Sequence, residues 1–206
     1  MSAPVDWPSS ISVNGLDILP RDTIDRNESP FTLSEEVYDW GGEMWTIDGT
    51  LPKMDRAKSA AFKGFLLNLK GRKNPFLFPV PEPEPLGVAT GTPLVNGAGQ
   101  TGNVLDTQGW TPDVTGILKT ADWLNLGTAA STRLYMVTAD VDSDGSGNAS
   151  IPLWPSLRSS PSDSAAVTVH DCKGLFRLTK NYGWGKDINK HFSFQPFSAM
   201  EALDGT

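Results

Sequence analysis

The sequence predicts a mainly β protein carrying one short α-helix, on three features of its 206 residues. Sixteen prolines and twenty glycines interrupt the chain too often for long helices, but at a spacing that suits short strands and turns. Between them, apolar and polar residues alternate in short runs, the period of a strand with one buried face. Helical spacing is sustained only over residues 55–69. A chain of this length forms either one large β domain or two small ones, and each option buries a substantial core.

Taken in order, residues 11–19 read as a strand or turn-strand. Residues 31–39 and 43–50 read as strands around Trp40-Gly41-Gly42, a Gly-Gly hairpin candidate. In the helix, Met54, Ala57, Ala61 and Phe65 recur at steps of three and four, and Phe62, Leu66 and Leu69 widen this apolar stripe. Asp55 is placed to cap its start and Gly71 to end it. Phe76-Leu77-Phe78 is a short buried strand. The run Pro79-Val80-Pro81-Glu82-Pro83-Glu84-Pro85 then favours extended polyproline geometry and marks the strongest boundary in the chain. Beyond it, strands are predicted at 88–95, 103–107, 114–118, 133–141, 147–153 and 165–170, with 174–179 and 191–203 closing the chain. This organisation predicts a first β unit from residues 1–85 with 170–206, and a second from residues 86–169, inserted or appended.

Composition narrows the function. No apolar run approaches the roughly 20 residues that span a bilayer, so no membrane partner is expected. Residues 1–6 lack the basic and apolar segments of a signal peptide, and folding in the cytosol is expected. The single cysteine, Cys172, excludes an internal disulfide framework and reads as a small core or surface residue rather than a nucleophile.

The net charge of −7 conceals a segregation. Residues 1–52 hold ten acids and two bases. Residues 53–73 hold Asp55 alone against Lys53, Arg56, Lys58, Lys63, Lys70, Arg72 and Lys73. Residues 74–206 hold thirteen acids and eight bases. The plain reading is a solvated helix face. The sharper reading is a basic helix that docks on an acidic surface, its own or that of another copy. Nucleic acid ranks below both, because exposed aromatics are not interleaved with the bases.

Four motifs with catalytic or ligand-binding form fail on context. Gly97-Ala98-Gly99-Gln100-Thr101-Gly102 matches G-x-G-x-x-G, yet Asp106-Thr107-Gln108-Gly109-Trp110 follows too soon for the helix that a pyrophosphate needs. Asp140-Val141-Asp142-Ser143-Asp144-Gly145 opens like a calcium loop, but its twelfth position is Ile151 instead of glutamate. An acidic hairpin turn is expected there, with weak calcium binding at Asp140, Asp142 and Asp144 left open. His170 and His191 lack a second metal ligand at helical or hairpin spacing, although Asp171 and Cys172 adjoin His170. Ser146 sits in a turn without an oriented base, and no G-x-S-x-G occurs. No catalytic residue, cofactor or metal is expected. Of the seven tryptophans, most are assigned to the core, whereas Trp7 and Trp184 lie among prolines, glycines and polar residues and are the expected interface anchors.

Trp40-Gly41-Gly42-Glu43-Met44-Trp45, Leu51-Pro52, residues 60–71 ending Leu69-Lys70-Gly71, and Pro75-Phe76-Leu77-Phe78 carry a resemblance. Together this stretch resembles the belt domain of distal tail proteins of long-tailed bacteriophages. In that family a tryptophan strand leads to a short helix, a leucine–basic–glycine turn and a phenylalanine strand. Residues 96–102, 122–127, 134–137, 152–158 and 191–203 are similar to tail-tip sequences. Ala121-Asp122 stands there for the family's Gly-Asp, and Ser156 for a second proline. The resemblance implies a β-sandwich belt domain with one short helix, plus a second small β-barrel-like domain. It implies a homohexameric ring at the virion tail tip, made in the host bacterial cytoplasm. The ring would join the tail tube protein to the tail hub, baseplate or fibres. The tape measure protein and then DNA would pass through its lumen without specific binding. A head-to-tail ring needs two complementary faces on each subunit. Arg56, Lys58, Lys63, Arg72 and Lys73 against Glu35, Glu36 and Glu43 are the expected pairs. Two other classes stay open. One is a carbohydrate-binding β module using exposed tryptophans and the turn at 140–144. The other is a hydrolase with an unrecognised carboxylate pair.

Overall fold

Residues 3–189 and 191–203 are described by a computed structural model; residues 1–2, 190 and 204–206 of the expected first unit lie outside the described residues. Strands β1 (Val5–Asp6), β2 (Gly15–Glu28) and β3 (Glu35–Thr50) open the chain. β2 and β3 pair antiparallel from Gly15 opposite Thr50 to Glu28 opposite Glu35. The chain therefore reverses at residues 29–34, and the hairpin expected at Gly41-Gly42 is instead a bulge inside β3. Asp22 faces Glu43 while Ile24 faces Asp39, so β3 carries two extra residues there. Gly41 takes φ +66°, and the Gly42 N–H donates to the Thr23 hydroxyl at 2.8 Å. A left-handed glycine serves a bulge as readily as a turn, and the sequence pattern does not separate the two.

Helix α1 (Arg56–Leu69) starts where Asp55 accepts the Lys58 N–H at 2.8 Å. It stops at Lys70, in the left-handed conformation at φ 51°, followed by Gly71 at φ 71°. Its buried residues are Ser59, Phe62, Phe65 and Leu69. Ala57 and Ala61, expected in the apolar stripe, are exposed. The larger apolar area of the two phenyl rings sets which side of the helix faces the sheet, and alanine methyls contribute too little to compete.

The chain continues through β4 (Phe76–Pro79), β5 (Gly91–Val95), β6 (Val104–Trp110), β7 (Trp123–Leu126), β8 (Arg133–Val137), β9 (Ala149–Trp154) and β10 (Val167–Thr168). It ends with β11 (Lys173–Leu178), β12 (Trp184–Lys186), β13 (Phe192–Phe194) and β14 (Phe197–Glu201). Among the described residues the fold is mainly β with a single short α-helix, as expected. The expected strand at 114–118 is a loop, because Asp113 and Gly116 both take positive φ and leave only a bridge from Leu118 to Val141. β7, with all four residues buried, lay outside the predicted strands.

Two six-stranded sheets result, ordered β1-β4-β11-β14-β3-β2 and β10-β7-β8-β9-β6-β5. The chain leaves the first sheet after β4 and re-enters it at β11. The second sheet curls until its ends nearly meet. There the Val95 N–H donates to Ala165 O at 2.9 Å, and Leu94 bridges to Ala166. This barrel-like sheet fills itself with Val95, Leu105, Trp110, Leu124, Tyr135 and Ile151.

Register places Phe76, Phe78, Phe176, Leu178, Ala199, Phe197, Trp45 and Ile47 on one face of the first sheet. That face is covered by α1 and by the near edge of the barrel, which contributes Trp123 and Leu134 to the same core. Trp7 sits within it, its ring centroid 4.9–6.1 Å from those of Phe62, Phe65, Phe76, Phe78 and Phe197. Only 8% of Trp7 is exposed, and its indole N–H donates to Ile11 O at 2.9 Å. This corrects the expectation of Trp7 as an interface anchor: five phenyl rings surround it, and its one polar atom is satisfied internally. Replacing Trp7 by Ala should cost about 3–5 kcal/mol of unfolding free energy in a denaturant titration; a loss under about 1 kcal/mol would show that Trp7 is not a core residue.

Candidate functional site

Beyond Leu19 the β2–β3 ribbon leaves the body of the protein, and every residue from Leu19 to Gly42 except Ser29 is exposed. With nine residues from Pro20 to Glu28, this arm extends about 30 Å at the usual strand rise. Ile24 and Val37 lie on one face of it and Tyr38 on the other, and neither face is covered. At the tip Phe31 is 93% exposed and Leu33 72% exposed; Trp40, beside the bulge, is 74% exposed. Acids alternate with these apolar groups, including Asp25, Glu28, Glu35, Glu36 and Asp39. An isolated two-stranded ribbon is marginal in water, and this gathering of exposed large apolar side chains makes the arm the candidate interaction surface.

The structure distributes the expected interface residues unevenly. Glu35 and Glu36 lie near the arm tip, and Glu35 pairs with Arg26. Glu43 lies at the arm base, where its carboxylate accepts the Ser156 N–H at 2.6 Å. It thus ties the first sheet to the barrel instead of facing outward, a correction to its expected role. Arg56 and Lys58 on the first turn of α1, and Arg72 and Lys73 after its end, are exposed. Lys63 is half-buried with its ammonium 3.5 Å from the Phe192 ring centroid, which leaves it less free for an outside partner. Trp184 is 42% exposed beside it, consistent with its expected surface position. Among the described residues, no ion pair joins these bases to Glu35, Glu36 or Glu43. Sequence reasoning missed Trp40, Phe31 and Leu33 as surface groups. Their signal was an aromatic and aliphatic run among acids on both sides of a strand, without a one-sided period.

The motifs of catalytic or ligand-binding form resolve into structural parts. The 97–102 glycines form the loop between β5 and β6. Gln100 closes it by donating to Asn96 O and Asp106 O and accepting the Asp106 N–H. The three aspartates each hold backbone. Asp140 accepts from Lys119 Nζ at 2.8 Å and Thr120 N at 2.9 Å, Asp142 from Gly116 N at 2.6 Å, and Asp144 from Ser146 N and Asn148 N. Calcium would have to displace these donors. The Lys119 ammonium, with the Thr120 N–H, holds the Asp140 carboxyl down to about 2. His170 contacts Glu84 at 2.8 Å, and among the described residues no three His, Cys, Asp or Glu side chains converge as a metal site. Burial pushes the Cys172 thiol up to about 12, and its Sγ lies within 3.4 Å of Trp123 O and Thr168 O. It is a core thiol.

A second polar group sits where the two sheets meet. The Trp45 indole N–H donates to Leu134 O at 3.1 Å, with the rings of Trp154 and Trp123 at 4.4 and 5.0 Å. Beside them Arg158 from the barrel pairs with Glu201 of β14 at 3.0 Å, and the Trp45 N–H also reaches the Glu201 carboxylate. The Glu201 side chain is 1% exposed, and burial raises its carboxyl above the usual value by more than Arg158 lowers it.

Compared with known proteins, the chain matches no family model and no curated sequence.

Two titrations test this chemistry. Asp140 has a depressed folded value, so its stabilisation is complete above the unfolded value of 3.8 and lost as pH falls through about 2. An NMR titration should give about 2 for Asp140 in the folded chain, moving toward 3.8 in Lys119→Ala; a native value already at 3.8 would refute the pairing. Arg158→Ala leaves Glu201 without its countercharge and should cost about 3–5 kcal/mol at pH 7. Because a protonated Glu201 needs no partner, that cost should shrink as pH falls through its raised folded value toward 4.5. Urea titrations at neutral and acid pH read both limbs, and a pH-independent loss would assign the effect to packing.

Proposed function

We propose that this chain is a structural assembly protein, a ring-forming subunit of the tail tip of a long-tailed bacteriophage. It would join the tail tube to the hub or fibres and leave a channel for DNA. The observation that carries this reading is the exposed arm. A ribbon of about 30 Å with uncovered phenylalanine, leucine and tryptophan side chains costs solubility, unless another surface covers it. Its acids and the exposed bases of α1 are the two different, mutually complementary faces of a contact between copies, carried on different parts of one chain. A heterologous contact of that kind closes into a ring or continues as a filament. The resemblance of residues 40–78 to distal tail belt domains supplies the virion context, and residues 86–169 are then an accessory unit inserted into the ring-forming one. An acidic lumen passes DNA because it offers the phosphates no cationic partners.

Charge reversal separates this reading from a monomeric binding module. Lys58→Glu with Arg72→Glu should abolish incorporation into tails in an assembly mixture while leaving the thermal midpoint within a few degrees. Glu35→Lys with Glu36→Lys in the same chain should restore part of it. The reading fails if the wild-type chain stays monomeric by light scattering with its tail partners present and is absent from purified tails.

A further inference from the structure

We infer that the arm tip of one copy seats in a cleft at the C-terminal end of α1 of a second copy. The inference rests on the assembly reading and names the contact that makes it. The cleft, about 290 Å³, is lined by Leu66, Leu67, Lys70, Leu178, Tyr182 and Trp184. Its wall is fixed, because the Tyr182 hydroxyl accepts the Ser198 N–H at 2.5 Å and donates to Ser198 O at 3.1 Å. Leu67 is 66% exposed at its mouth, an apolar group with nothing of its own chain over it. Lys70 stands on the rim, and Arg72 and Lys73 follow in the same exposed turn.

The arm tip has the matching chemistry. Ser29 and Ser34 close the turn through Ser29 N to Ser34 O at 2.9 Å, and Leu33 N donates to Ser29 O at 2.9 Å. Leu33 takes φ 55°, a left-handed conformation that glycine or asparagine would hold with less strain. The turn nevertheless keeps a leucine there, next to a fully presented Phe31. Glu28, Glu35 and Glu36 flank the pair. An aromatic anchor entering an apolar pocket, ringed by opposite charges, is the arrangement that concentrates binding energy at an interface.

Charge decides between this cleft and the other apolar depressions on the surface. A groove of about 440 Å³ beside β2 and β4 is lined by Trp7, Ile11, Leu16 and Phe78, its one base, Lys173, lies 4.0 Å from Asp6 of the same groove, and it adjoins a second depression bearing Glu82, Glu84 and Asp122. Those carboxylates repel an acidic tip, whereas Lys70, Arg72 and Lys73 attract it.

The test is site-specific cross-linking of the full chain. A benzoylphenylalanine placed at Phe31 is irradiated in the assembled oligomer, and the products are mapped by mass spectrometry. Cross-links between copies should fall on residues 66–71 and 181–184. Phe31→Ser should weaken association at least about tenfold, the effect of losing an anchor residue, with the thermal midpoint unchanged. Cross-links between copies that fall elsewhere, or an undiminished association of Phe31→Ser, overturn the docking and leave the assembly reading standing. A chain that forms no oligomer, alone or with tail extract, overturns both.

Discussion

One face of the first sheet has to be covered by two unlike partners at once, and the rest of the structure follows from that. Phe76, Phe78, Phe176 and Phe197 present phenyl rings that Phe62 and Phe65 of α1 cover with Trp7 between them. Further along the same face Trp45 meets Trp123, Leu134 and Trp154 of the barrel. The barrel closes on its own core of aliphatic residues with Trp110 and Tyr135. What sets its place is a small group of directional contacts: the Trp45 indole on Leu134 O, Glu43 on Ser156 N, and Glu201 on Arg158. Apolar area supplies the attraction, and these hydrogen bonds choose the register.

With that face occupied, β3 has nothing left to cover its outer half. The strand starts as half of the arm at Glu35, crosses the glycine bulge at Gly41-Gly42 and enters the core at Trp45. The bulge increases local twist and separates a buried strand from an exposed one, and pairing resumes beyond it with Ile24 opposite Asp39. A ribbon outside the body is paired on only one edge of each strand, and in water it is held by cross-strand pairs alone, such as Arg26 with Glu35. Acids along it also discourage edge-to-edge pairing with unrelated chains. The arm is thus ordered weakly by its own chain and kept soluble by charge, a state suited to a segment whose partner is another surface.

The same logic separates the carboxylates. Those that hold structure are paired with backbone donors: Asp122 accepts Leu86, Gly87 and Lys119 N–H groups, and Asp140, Asp142 and Asp144 grip three neighbouring turns. Asp25 and Glu36 on the arm face solvent, whereas Asp39 accepts the Gly41 N–H at 2.8 Å at the bulge. The acidic balance of the chain therefore has two unrelated origins, loop fastening in the barrel and surface charge on the arm.

Local physics made the helix, its Asp55 cap, the Phe76 strand and the charge segregation legible, because each depends on residues close together in the chain. The fold class followed from the density of turns. That residues 97–102 form a loop between strands and residues 140–145 a turn region was also legible from their flanks. What the sequence left open is what long-range burial decides. Whether Gly41-Gly42 turns the chain or bulges it depends on the partner strand. Which side of α1 is buried depends on the phenyl rings opposite it. Trp7 and Trp40 look alike in composition, yet one lies beneath five aromatic rings and the other stands in solvent. Period and propensity determine which elements form, and only the packing of distant segments decides which of their side chains are left for another molecule to cover.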